Sequence, residues 1–89
     1  MKIDVIHDEV YDEWVGSGTM RSGERITAHG ASEAEARAAT RRAMDLRLLE
    51  AWDFSKLVDA VIEFAQRGDV DRLDLFKAAL LARASTAKV

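Results

Sequence analysis

Length, composition and charge set the first bounds on this chain. It has 89 residues, enough for one small domain, which we expect to span residues 1–89. It contains no cysteine, which excludes a disulfide scaffold and a thiolate metal site, and its 48% apolar content argues against disorder. The sequence contains neither the apolar stretch of a signal peptide nor a membrane-spanning run, so we expect a cytoplasmic location and no membrane partner.

Charge is distributed unevenly along the chain. Residues 1–20 carry one lysine and five carboxylates, a net charge of −4, whereas residues 21–51 carry six arginines and five carboxylates. The net charge of the whole chain is −3. A nucleic-acid-binding domain usually has a basic surplus, so nucleic acid is not the expected partner. An acidic segment suits a protein partner that carries a basic surface.

The first 30 residues have the features of a small β-sheet. Ile3 and Val5 alternate with charged residues, which predicts a short strand. A further strand is predicted over Val10–Val15, and another over Glu24–His29. We therefore expect an antiparallel sheet of two or three strands within residues 2–29.

The segment over residues 8–15 also allows a second interpretation. Ile6, Val10 and Trp14 are spaced four residues apart, which is typical of one face of a helix. We favour the strand because β-branched and aromatic residues dominate the segment. The Gly16-Ser17-Gly18 sequence that follows is then predicted to be a turn.

Helical signals begin after Gly30. Ser32 and Glu35 form a capping box, in which the serine oxygen accepts from the Glu35 amide and the Glu35 carboxylate reaches back. Strong helix formers follow, so we predict a helix over residues 33–51 that packs on the sheet. One stripe of this helix consists mainly of small residues that permit a close approach: Ala36, Ala39, Ala43 and Leu46.

A helical pair is predicted next, over residues 55–67 and 71–84. Asp53 or Ser55 can cap the first of these helices, and Gly68 is suited to end it in left-handed geometry. The predicted fold class is therefore α+β, with a small antiparallel sheet, one helix packed on it, and the helical pair.

The last predicted helix is apolar on nearly all sides. Such a helix is normally buried on more than one side, and little of the chain remains to cover it. We expect it either to lie centrally or to contact a second subunit, which makes a homodimer possible. The apolar residues expected to support self-association are Leu75, Ala79, Leu81 and Ala82.

Side chains suited to catalysis or metal binding occur in no recognisable frame. The neighbours of His7 fall on alternate faces of a strand, and His29 lies far away in sequence, so three ligands are not expected to converge. Asp69 and Asp71 are better suited to cap the last helix than to bind calcium. We expect no catalytic residue, no cofactor and no metal.

Three arginines of the first helix are candidates for phosphate contacts. Arg37, Arg41 and Arg42 share this helix, and Arg37 and Arg41, one turn apart, lie away from its alanine stripe. Glu33 precedes Arg37 by four residues, and Asp45 follows Arg41 by four, so both pairs are expected to neutralise this surface.

The entry into the first helix has a glycine, a serine and an alanine-rich acidic start, in the segment Thr27–Arg37. With this entry, residues 10–49 resemble the strand-turn-helix core of HicB-like antitoxins and of double-stranded RNA-binding domains. The first resemblance implies a regulatory antitoxin, and the second implies RNA binding. Glu33 and Glu35 stand near the positions where the RNA-binding family has phosphate-binding lysines, which counts against RNA. The helices after Trp52 match neither family.

The expected function is that of a small non-enzymatic protein that regulates or inhibits a protein partner. Antitoxins and phage anti-defence inhibitors, such as anti-CRISPR proteins, are often acidic single domains of this size. The alternatives are a nucleic-acid-binding module that uses the arginines, and a small phage structural or assembly subunit. Aromatic anchors beside charges are typical of interface hot spots. The expected partner interface consists of Asp8, Glu9, Tyr11, Asp12, Glu13 and Trp14.

Overall fold

The chain folds into a small sheet followed by three helices. The computed structural model describes residues 2–86. This is the predicted α+β class, with an antiparallel sheet followed by a helix and a helical pair. The elements are β1 (Ile3–Asp8), β2 (Glu13–Thr19), β3 (Arg25–Gly30), α1 (Glu33–Leu49), α2 (Phe54–Arg67) and α3 (Val70–Thr86).

The three strands form an antiparallel sheet in the order β1-β2-β3, with β2 in the centre. Gly16 of β2 pairs with Val5 of β1 and with Ala28 of β3. These paired residues share the face of the sheet that contacts α1, because Gly16 lies against that helix. Since neighbouring residues of a strand point to opposite faces, Ile6 and His29 belong to the face away from α1, here called the far face.

The predicted second strand begins later than expected. Residues 9–12 form the turn between β1 and β2, and β2 starts at Glu13, so the prediction of a strand from Val10 is wrong. The helical interpretation of this segment is also wrong. The turn is stabilised by the Val10 amide, which donates to Asp8 Oδ1 at 3.0 Å. Its last residue, Asp12, has a left-handed φ of 50°, a conformation that aspartate tolerates better than most residues.

The Gly16-Ser17-Gly18 sequence lies inside β2, so the prediction of a turn there is also wrong. A side chain at Gly16 would place its Cβ 2.8 Å from the Ala36 carbonyl oxygen, and one at Gly18 would place it 2.5 Å from Met44 Sδ. Gly16 is therefore needed because α1 lies directly on the strand backbone, whereas at Gly18 the close neighbour is the flexible end of the Met44 side chain.

The start of α1 largely follows the predicted capping box. The Glu35 amide donates to Ser32 Oγ at 3.2 Å, while the Glu35 carboxylate accepts from the Ala31 amide at 3.0 Å. The carboxylate thus reaches one residue further back than the usual capping box. The helix ends at Leu49, two residues before the predicted end.

The described chain divides into two compact units at Met44 and Asp45, within α1. In the first unit the buried residues that meet the sheet are Ala36, Thr40 and Met44, spaced four apart on α1. The Thr40 hydroxyl donates to the Ala36 carbonyl oxygen at 2.8 Å, so no polar group is left unpaired there. The predicted stripe contained Ala36 but missed Thr40 and Met44.

The second unit contains the end of α1 and the helical pair. Its core is formed by Leu49, Leu57 and Ala79. Phe76 lies at the edge of this core, with its ring centroid 5.0 Å from that of Phe64 in an edge-on arrangement. Partly buried residues that pack against the core are Leu46, Leu75, Phe76 and Leu80.

The residues that cap the helices of the pair act as predicted, with one exception. Gly68 ends α2 with a left-handed φ of 71°, and Asp69 caps α3 by accepting from the Arg72 amide at 3.3 Å. Asp53 occupies the cap position of α2, but its side chain makes no capping hydrogen bond. None of the helices, over residues 2–86, combines the length and apolar character that a bilayer crossing requires.

Candidate functional site

The predicted interface residues lie on one β-hairpin, formed by the end of β1, the turn over residues 9–12 and the start of β2. Asp8 and Glu13 are Cα partners at the base of the turn. Glu9 and Asp12 lie within the turn, so four carboxylates surround its tip. The turn brings these four residues close together because they lie within a short stretch of sequence, residues 8–13.

The tip of the hairpin also presents apolar surface. Val10 is 84% exposed and Tyr11 is 76% exposed. A large aromatic side chain that is this exposed buries considerable area when a partner covers it. The hairpin therefore combines an exposed aromatic side chain with four nearby carboxylates.

Two histidines hold carboxylates of the hairpin in place. His7 Nε2 lies 3.1 Å from Asp12 Oδ1, and His29 Nδ1 lies 2.9 Å from Glu13 Oε1. Sequence reasoning missed both contacts, because they depend on the turn geometry and on the pairing of β2 with β3. Their effect is to restrict the carboxylates of Asp12 and Glu13.

Trp14 differs from Tyr11 in its surroundings. It is half-buried, and its ring centroid lies 5.0 Å from that of His7 with the planes tilted by 52°. Trp14 pairs with His7 across the strands and alternates with Glu13, so it points to the opposite face from that carboxylate. Of the two predicted aromatic anchors, Tyr11 is the accessible one.

The far face of β1 extends the acidic surface beyond the predicted residues. Asp4 and Asp8 lie on this face on either side of Ile6, which is 67% exposed. Alternation of acidic and apolar residues was visible in the sequence. The sequence does not predict that this face is exposed, because alternation by itself identifies a strand and gives no information about which face stays uncovered.

The arginines of α1 are not equivalent. Arg37 donates to the Ile3 carbonyl oxygen at 3.0 Å and pairs with Glu33 at 3.8 Å, as the four-residue spacing predicts. Arg41 and Arg42 are exposed and form no ion pair with any residue among those described, so the predicted pairing of Arg41 with Asp45 is wrong. Two free guanidinium groups remain as candidates for phosphate contacts.

The residues predicted for self-association divide into two groups. Leu75 and Ala79 of α3 pack in the core of their own unit. Leu81 is 67% exposed, and Ala82 is exposed beside a groove of ≈ 510 Å³. The groove is lined by Leu46, Glu50, Ala78, Ala79, Ala82 and Arg83.

One end of this groove is occupied by a well-bonded arginine. Arg83 donates to the carbonyl oxygens of Glu50 and Trp52 at 2.7 and 2.8 Å. These carbonyls follow the end of α1, where backbone acceptors lack helical partners and a cation is favourable. The role of Arg83 is therefore to stabilise this unit.

Titratable side chains do not converge into a metal-binding cluster in the described part of the chain. No group of three or more histidine, aspartate or glutamate side chains could hold an ion there. Asp69, considered above as a possible calcium ligand, accepts from the backbone of α3 and lies 3.7 Å from Arg72 Nε.

Comparison with known proteins assigns the chain to no family. No family model matches it, and no curated protein or solved structure matches it significantly. The resemblance of residues 10–49 to HicB-like antitoxins and double-stranded RNA-binding domains stays a prediction.

Proposed function

We propose that this chain is a non-enzymatic binding protein that regulates or inhibits a protein partner, and that the β1–β2 hairpin contacts a basic surface on that partner. The observation that carries the proposal is Tyr11, 76% exposed at the tip of a hairpin among four carboxylates. The proposed class is that of antitoxin-like proteins or phage anti-defence inhibitors such as anti-CRISPR proteins, acting in the cytoplasm.

The chemistry of the hairpin favours recognition of a basic protein surface. Tyrosine is enriched among the residues that dominate binding energy, because its ring buries a large area with few rotatable bonds. Carboxylates around such an anchor accelerate association with a cationic partner and reject anionic surfaces. The Tyr11 ring would supply affinity, and the surrounding charges would supply selectivity and orientation.

Local hydrogen bonds support this role because they reduce the ordering cost of binding. Asp12 and Glu13 are held by His7 and His29, and the Asp8 carboxylate accepts from the Val10 amide. Side chains that are already restricted lose less conformational entropy on association. Three of the four hairpin carboxylates would thus be partly ordered before a partner binds.

The proposal is tested by affinity capture of partners from the host, comparing the natural chain with a variant that carries Lys at four hairpin positions. We expect the reversed hairpin, changed at Asp8, Glu9, Asp12 and Glu13, to lose its specific partner. The matched control reverses four exposed acids of the helical pair and should retain that partner: Asp53, Asp59, Asp71 and Asp74. Circular dichroism establishes that both variants fold, and equal capture by both would contradict the proposal.

A second copy of the chain is an additional proposed partner. Leu81 supports this because it is a large apolar side chain, 67% exposed on α3. Sedimentation at high micromolar concentration tests self-association, and a monomer under those conditions would contradict it. A single exposed leucine is a small contact, so we expect any dimer to be weak.

A further inference from the structure

The β1 strand is an edge of the sheet, and part of that edge is available for pairing. Within residues 2–86, β1 pairs with β2 alone, and no other backbone–backbone hydrogen bond reaches it. Unpaired edge strands present backbone donors and acceptors that an additional extended segment can use.

The contact of Arg37 shows which backbone groups point outward. Arg37 donates to the Ile3 carbonyl oxygen at 3.0 Å, so this oxygen faces away from β2. Alternate residues of an antiparallel strand direct both backbone groups to the same side, so the N–H and C=O groups of Val5 and His7 also face outward. Arg37 covers the edge at Ile3, and the outward groups of Val5 and His7 remain.

The side chains beside this edge specify the kind of segment that fits. Asp4, Ile6 and Asp8 alternate along the far face of β1, with Ile6 67% exposed. In an added antiparallel strand, residues opposite these three form the pairs without direct hydrogen bonds, in which side chains are closest. Opposite charges in such pairs stabilise a sheet, and like charges destabilise it.

We propose that β1 accepts an extended segment of the partner as a fourth strand, with a basic, an apolar and a basic residue at alternate positions. The inference rests on the proposed function, because it names the way in which a basic partner binds. The basic side chains lie opposite Asp4 and Asp8, and the apolar side chain covers Ile6. Backbone bonds to Val5 and His7 supply affinity that does not depend on sequence.

The same charges disfavour pairing of β1 with a second copy of itself. In the antiparallel register centred on Ile6, Asp4 of one copy lies opposite Asp8 of the other. Like charges in directly opposed positions are destabilising. The acidic residues of β1 therefore select a basic segment and reject this self-pairing.

The test uses the full chain and a synthetic peptide of about seven residues, a usual strand length. Arginine, valine and arginine occupy alternate positions of the peptide, with threonines between them. Hydrogen exchange of the chain is measured by NMR with and without peptide. We expect the amides of Val5 and His7 to gain protection, while the Ile6 amide, which faces β2, changes little.

Two kinds of control peptide separate strand addition from simple charge attraction. In the first, the same residues are rearranged so that the arginines are adjacent and fall on opposite faces; we expect about tenfold weaker binding, since one charge pair and the apolar pair are lost. In the second, backbone nitrogens are methylated. Methylation of the threonines removes the donors that face β1 and should abolish binding, whereas methylation of the arginines, whose N–H groups face away, should not.

The outcomes distinguish this inference from the proposal on which it rests. Strand addition would be overturned if the alternating and rearranged peptides bound equally and the amides of Val5 and His7 gained no protection. The proposed function would survive that result, because the acidic hairpin would still attract basic ligands. No binding of any basic peptide at low salt would overturn both ideas. Selective binding of the alternating peptide, with protection at both amides, supports the fourth strand.

Discussion

In the first unit a helix lies directly on a strand backbone, whereas in the second unit helices meet through large apolar side chains. Gly16 and Gly18 allow Ala36, Thr40 and Met44 to approach the sheet closely. The second unit instead relies on Leu57, which is completely buried. The first unit is therefore sensitive to added volume, and the second is sensitive to removed volume.

This difference explains why an alanine-rich helix can belong to a stable fold. Small side chains bury little area, but they allow many backbone atoms to approach within van der Waals distance. The helical pair has larger side chains but covers them incompletely, since Phe54 and Ile62 of α2 are 52% and 51% exposed. Apolar area alone does not predict which side chains support the fold.

The largest effect is expected from Leu57→Ala. Removal of a fully buried leucine leaves a cavity and costs about 2–5 kcal/mol of unfolding free energy. Ile62→Ala on the same helix is the matched control, and it should cost much less because that side chain is half exposed. Urea unfolding measures both changes, and equal losses would show that Leu57 is not the main support of the second unit.

A smaller but specific loss is expected from Gly16→Ala. The new methyl group would lie 2.8 Å from the Ala36 carbonyl oxygen and would also collide with the Thr40 hydroxyl group. Forcing volume into a close-packed contact costs about 1–3 kcal/mol. Ser17→Ala, on the opposite face of the same strand, is the control; it removes only the exposed hydrogen bond that the Ser17 hydroxyl accepts from Arg25, so it should cost clearly less stability. A neutral Gly16→Ala would contradict the close approach of α1.

The fluorescence of the two tryptophans reports the unfolding of each unit separately, in both Leu57→Ala and Gly16→Ala. Trp14 lies in the first unit and Trp52 in the second. A single domain, as the sequence predicts, requires the fluorescence transitions of Trp14 and Trp52 to coincide in every variant. Separate midpoints, measured in chains that retain one tryptophan each, would identify two independently unfolding units.

The elements whose formation depends on local chemistry were predictable from the sequence. The capping serine at Ser32 and the left-handed Gly68 placed the start of α1 and the end of α2 correctly, because both act through neighbouring backbone groups. The sequence predicts a turn at Gly16, and this prediction is wrong because the reason for a glycine there is Ala36, twenty residues later. Long-range contacts of this kind leave no local pattern.

The candidate site was likewise predictable only where it depends on residues that are neighbours in sequence. The acidic residues and Tyr11 of the hairpin are contiguous in sequence, so their proximity follows from a single turn. The bond between His29 and Glu13, and the role of Ile6 on an exposed face, depend on strand register and on what covers the sheet. Neither can be obtained from composition or spacing.

The smallest expected effect is the dependence of nucleic-acid affinity on salt concentration. Each phosphate contact adds about one unit to the slope of log affinity against log salt. Arg37 is engaged by Ile3 and Glu33, which leaves Arg41 and Arg42 on this surface, so the slope should not exceed about two. Binding of that kind disappears at physiological salt, and Gln at Arg41 and Arg42 should abolish what remains at low salt.

Titration of duplex RNA by fluorescence anisotropy measures the slope. A value of about four or more would contradict this prediction, because it would require cationic contacts beyond Arg41 and Arg42. Such a value would also favour nucleic acid over a basic protein as partner.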